Sequence, residues 1–87
     1  MTAIARNDLR APAANPALRG KRLAHVRLPD GRYETVAIDS AGEPCDVLSG
    51  RRYADTLRDY GVTMAPRAAD HIRAVLAAWG AKTRDAE

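Results

Sequence analysis

The stretch LPDGRY, residues 28–33, constrains the fold of this chain more than any other. Pro29 presets one turn torsion, and Asp30-Gly31 tolerates the positive φ that a tight reversal needs. The flanking runs RLAHVR and YETVAI alternate apolar with polar residues, the period of a strand with one buried face. A β-hairpin is therefore predicted over residues 22–38. Pairing Leu28 with Tyr33 sets Arg27 opposite Glu34, Val26 opposite Thr35 and Leu23 opposite Ile38. One face then carries Ala24, Val26, Leu28, Tyr33, Thr35 and Ala37. The other carries Leu23, His25, Arg27, Glu34, Val36 and Ile38. Both faces are partly apolar, so helices should cover one, and the N-terminal arm, a loop or a partner should cover part of the other.

Little chain remains to build that cover. With 87 residues there is one domain at most, and a chain of this size buries only roughly 60 to 65% of its unfolded surface. Cys45 is the only cysteine, so neither an internal disulfide nor a thiolate metal cluster props up a thin core. The turn-rich segment DSAGEPCD leads to a first predicted helix over Arg51–Tyr60, capped by Ser49 and ended by Gly61 in a left-handed C′ position. Val62, Thr63 and Met64 favour extended backbone, and Ala65 is pushed the same way by the proline that follows. Pro66 suits the first position of a second helix ending near Gly80. Its docking stripe is Ala68, Ala69, Ile72, Val75, Leu76 and Trp79. The 62–64 run can then add a third strand to the hairpin. The expected fold is a small α+β module of order ββαβα, with two helices packed on one face.

The prediction divides the chain into a flexible basic arm (1–20), one α+β domain (21–80) and a polar tail (81–87). Pro12 and Pro16 limit the arm to a transient helical turn at residues 4–10. Arg6, Arg10, Arg19, Lys21 and Arg22 face only Asp8 in the first 22 residues, which therefore carry +4 and leave −1 for the rest against the chain's +3. These five cations are the candidates for contacting phosphates of DNA or RNA. No apolar run approaches the roughly 20 residues that span a bilayer, and the N-terminus lacks the continuous apolar stretch of a signal peptide. A cytoplasmic protein with no membrane partner is expected.

Residues that could carry chemistry are few and scattered. His25 and His71 have no Ser or Cys at helical spacing, so no nucleophile, base and orienter set is implied. Cys45 has no neighbouring cation to lower its pKa. The expectation is no enzyme, no metal and no cofactor. Arg51, Arg52 and Tyr53 mix bases with an aromatic, although Arg51, Asp55 and Asp59 also describe a solvated mixed-charge helix face. Tyr33 beside the hairpin turn suits an interface aromatic. Arg67 flanks the uncapped start of the second helix, where an anion could bind. Tyr33, Arg51, Arg52 and Arg67 are thus the candidate protein-interaction residues, and Trp79 reads as a core residue.

The combination of LPDGRYETVAI, a helix ending LRDYG, the run VTMAP and a closing helix IRAVLAAW resembles the uncharacterised segment that precedes the helicase-like ATPase of phage and plasmid primase-type replication proteins. Leu57, Gly61, Val62, Met64, Ala65, Pro66, Ile72, Leu76 and Trp79 stand at matching places, and the match covers about residues 23–80. Gly20-Lys21-Arg22 lacks the upstream glycine and the Ser/Thr of a phosphate loop, so ATP hydrolysis does not carry over with the resemblance. What it implies is a phage or mobile-element protein, here free-standing without the ATPase, that works by binding. Because the body is near neutral, the preferred expectation is protein–protein interaction with a host or phage complex, by analogy an anti-CRISPR-like inhibitor. The alternative is a nucleic-acid accessory module using the arm. A homodimer would also cover the second sheet face.

Overall fold

The computed structural model describes residues 15–86. Arg6, Arg10 and the helical turn expected at residues 4–10 lie outside the described residues. A 3-10 turn at Pro16–Leu18 leads into β1 (Arg22–Arg27), β2 (Tyr33–Ile38), β3 (Pro44–Cys45), α1 (Tyr53–Tyr60) and α2 (Pro66–Ala86). The three strands form one antiparallel sheet in the order β1-β2-β3. Three strands and two helices make the expected α+β fold, but the element order is βββαα rather than ββαβα.

The hairpin forms where expected, one residue out of the expected register. Gly31, at φ 91, donates its N–H to the Leu28 carbonyl at 2.9 Å, and Leu28 N–H donates to Arg32 O at 2.8 Å. The loop is therefore three residues long and closes on Leu28–Arg32, the arrangement in which a left-handed glycine completes the turn. Arg27 consequently faces Tyr33, Val26 faces Glu34 and Ala24 faces Val36. A slip of one residue exchanges the partners on each face. The expected register mixed Val26 with Tyr33 and Thr35, whereas the observed one collects Val26, Val36 and Ile38 on a single face, where all three are buried. Burying three large branched side chains together, each worth on the order of 1.5 to 3 kcal/mol, decides between the two.

The third strand is a correction. Val62, Thr63 and Met64 form a turn, with Val62 98% exposed and Thr63 donating through both N–H and hydroxyl to Tyr60 O. Pro44–Cys45 pairs instead with Ala37 and Ile38. Asp39 makes this second reversal: its carboxylate accepts from the N–H groups of Ala41 and Glu43 at 2.9 and 3.0 Å. Pro44 is tolerated because it lies on an edge strand, where a missing donor costs no ladder bond.

Helix α1 begins at Tyr53, not Arg51. Arg52 is its N-cap, held extended with no side-chain cap by a bridge to Cys45. Ser49 instead accepts the Arg51 N–H at 3.2 Å. Gly61 is right-handed, at φ −56, rather than left-handed, and its N–H reaches Leu57 O at 2.8 Å. Helix α2 starts at Pro66 as expected but continues past Gly80 to Ala86, so most of the anticipated polar tail is helical. Ala69, Ile72 and Val75 are buried, Leu76 and Trp79 half-buried, and Ala68 exposed.

These helices cover one sheet face through the cluster Val26, Leu28, Val36, Ile38, Tyr53, Ile72 and Val75. On the other face Leu18 packs with Ala37 and Cys45, flanked by Leu23 and Val47. Asn15 ties this end of the arm down by donating to Val47 O and Leu48 O at 3.1 and 3.2 Å. Gly50, at φ 76, lets the loop approach so closely that a Cβ there would collide with the Ala17 carbonyl. Residues 15–20 thus belong to the folded body, and the boundary expected at residue 21 moves toward the N-terminus. No helix among the described residues is long and apolar enough to cross a membrane.

Candidate interaction surfaces

The charged side chains divide into those neutralised within the fold and those left over. Arg51 pairs with Asp59 at 2.7 Å and lies over the Tyr60 ring at 5.3 Å. Arg52 pairs with Asp39 at 2.6 Å. Arg32 pairs with Asp30, Arg58 with Asp55 and Asp59, and Arg73 with Asp70. The Asp39 carboxyl is held below its ordinary value, first by the Glu43 N–H and then by Arg52. Asp59 is lowered likewise by the hydrogen bonds of Arg58 and Arg51. Two of the four expected protein-interaction residues, Arg51 and Arg52, are therefore engaged in positioning α1 against its own chain.

The cations without a carboxylate partner among the described residues are Arg19, Lys21, Arg22, Arg27, Arg67 and Lys82. Four of them lie on β1 or its run-in, and no acidic residue occurs between Arg19 and Leu28. A fifth, Lys82, reaches β1 from α2, donating its ammonium to His25 O at 2.8 Å. The structure thus adds Arg27 and Lys82 to Arg19, Lys21 and Arg22. On the sheet face opposite the helices stands Tyr33, 67% exposed, directly across from Arg27, whereas Arg22 pairs with Ile38 on the helix-side parity. His25 and Thr35 are linked on the same face, Oγ1 to Nδ1 at 3.0 Å. Arg67 is exposed at the start of α2 near the hairpin turn, apart from this group.

A second constellation had no counterpart in the sequence reading. The register places Glu34 on the helix-covered face, where its Oε2 meets His71 Nε2 at 3.2 Å and the Tyr53 hydroxyl at 3.5 Å. Burial, then the negative charges of Asp46 and Glu34, push the Tyr53 phenol far above its ordinary range, so it stays protonated and donates. A cleft of about 430 Å³ opens here, lined by these three residues with Asp46, Met64 and Ile72 among others. The parity of Glu34, Val36 and Ile38 was visible in the sequence, but the partner face was not. Among the described residues no hydroxyl or thiol hydrogen-bonds the His71 ring, and no group of His, Cys, Asp and Glu could hold a metal ion. Cys45 is buried, and burial pushes its thiol upward, away from the reactive thiolate.

No protein-family model, no curated protein and no solved structure matches this chain.

Proposed function

We propose that the chain is a non-catalytic nucleic-acid-binding module that tracks a phosphodiester backbone along β1. The observation that carries this reading is the segregation of charge: the other arginines on the sheet and helices are mostly paired, while Arg19, Lys21, Arg22 and Arg27, on β1 and its run-in, have no carboxylate partner among the described residues and are joined by Lys82. Tyr33 on the adjoining open face offers a stacking platform next to Arg27, the pairing of aromatic and cation that single-stranded nucleic acid uses.

Filter binding of a fluorescent single-stranded oligonucleotide to the parent chain and to an Arg22→Ala/Arg27→Ala variant tests it. Affinity should fall steeply with salt, and the log–log slope should shrink by roughly 0.7 for each phosphate contact removed from a single strand. Binding that is insensitive to salt and to both substitutions would end this reading.

A second reading is a protein-binding module of mobile-element type that inhibits a host complex. It is favoured by one separate observation, the Glu34 cleft, which lies away from the cationic strand.

A further inference from the structure

The two long edges of the sheet are not equivalent. Leu28 N–H donates across the hairpin to Arg32 O, and antiparallel ladders alternate, so Glu34 and Val36 turn their backbone groups toward β1. Tyr33 and Thr35 turn theirs the other way. On that side β3 pairs only with Ala37 and Ile38. It stops because Asp46 N–H goes to Arg51 O at 2.8 Å, and the Asp46 carboxylate takes the N–H groups of Leu48 and Ser49 at 2.7 and 3.0 Å. The chain peels away and leaves the Tyr33 and Thr35 backbone groups without a strand partner among the described residues. The β1 edge, in contrast, is blunted by Lys82 on His25 O, one of the ways sheet edges are protected.

The cleft opens at this same notch, because Glu34 and Asp46, which flank it, both line its wall. One Glu34 oxygen is occupied by Tyr53 and His71, and one Asp46 oxygen by backbone N–H groups. The second oxygen of each carboxylate has no hydrogen-bond partner among the described residues. Met64 and Ile72 line the same cleft. A cleft lined by two carboxylates and by apolar side chains complements a long aliphatic stem ending in a cation.

We infer that the open edge of β2 is a strand-addition site for an extended peptide of a partner protein, whose arginine or lysine side chain enters the Glu34–Asp46 cleft. Main-chain pairing to Tyr33 and Thr35 supplies affinity, and alternate side chains of the added strand point into the cleft or out to solvent. The cationic side chain supplies specificity through charge-assisted hydrogen bonds. The site uses the backbone of Tyr33, whereas the proposed nucleic-acid surface uses its ring on the opposite face, and neither depends on the other.

The test is a titration of the ¹⁵N-labelled full chain with blocked seven-residue peptides of alternating threonine and valine. Their central residue is arginine, glutamate or norleucine. The arginine peptide should shift the Tyr33 and Thr35 amides in saturable fashion. The glutamate peptide should not, and the norleucine peptide should bind about tenfold more weakly, the worth of one charge-assisted contact. Glu34→Gln, which keeps an oxygen to accept from Tyr53, should erase the preference for arginine over norleucine. An arginine peptide N-methylated on the residues facing β2 should not bind. The inference is overturned if the arginine peptide leaves Tyr33 and Thr35 unmoved up to about 1 mM, or if N-methylation or Glu34→Gln changes nothing. It is also overturned if those amides shift on dilution of the protein alone, which would assign the edge to a second copy. Shifts on deletion of residues 1–14 without peptide would assign it to the chain's own N-terminus.

Discussion

The two faces of the sheet are buried by different means. The helix side is sealed by side chains from both helices on a row of β-branched strand residues, with Val36 at 0% exposure. The opposite side is covered for half its length by one leucine carried on a 3-10 turn, and its other half keeps Tyr33 and Arg27 in solvent. A small domain can thus close one face by packing and hold part of the other by a short tethered segment, leaving the remainder in solvent. The helix side depends on many mutually supporting contacts. The arm side depends on a few that act together, namely Leu18, Asn15 and the glycine that lets the loop approach.

The sharpest break in that comparison is Ile38→Ala, which opens a cavity in the helix-side core. It should cost about 3 kcal/mol and, in a domain of this size, lower Tm by well over 10 °C, on the scale of roughly 4 to 8 °C per kcal/mol. Urea unfolding followed by circular dichroism checks it. Leu18→Ala attacks the thinner cover and should cost about 2 kcal/mol, with helix content unchanged in the native baseline. If it costs as much as Ile38→Ala, the two faces fold as one packed unit and the contrast fails. Gly50→Ala should cost about 1 to 2 kcal/mol, from strain at positive φ and displacement of Ala17. Its distinctive readout is loss of amide protection at Leu18 before any loss in α2. The smallest effect is acid sensitivity at the second reversal. The folded Asp39 carboxyl sits below the ordinary value of 3.8, so the unfolded chain takes up its proton first. The stabilisation is present above that value and is lost as pH falls through the lower folded value. Asp39→Asn should therefore flatten the decline in Tm below about pH 4, while leaving the pH 7 melt only slightly lower.

The features legible in the sequence were those fixed by local chemistry. Pro29-Asp30-Gly31 marked the hairpin, and Pro66 with the spacing of Ile72 and Val75 marked α2 and its buried stripe. The loop length was not legible, because Asp-Gly serves three- and four-residue reversals alike, and only the shared burial of Val26, Val36 and Ile38 selects one. The third strand escaped for a related reason. Two residues beginning with proline carry no period, whereas Val62-Thr63-Met64 has strand propensity but is drawn into a turn by the Thr63 N–H and hydroxyl on Tyr60 O. Charge counting exposed Arg19, Lys21 and Arg22, yet Lys82 joins them only across 57 positions of chain. Glu34 and His71 meet across 37 positions, and no spacing rule reaches that far.

Cys45 turns the arm-side packing into a clock. The thiol lies beneath Leu18 against Ala37, fully enclosed and disfavoured from ionising, so an alkylating reagent must wait for the arm to lift or the sheet to open. The rate of modification at low reagent, compared with that of the unfolded chain, measures how often the arm lifts, independently of global melting. A single native atom thereby reports the tethered cover from within, with no label introduced.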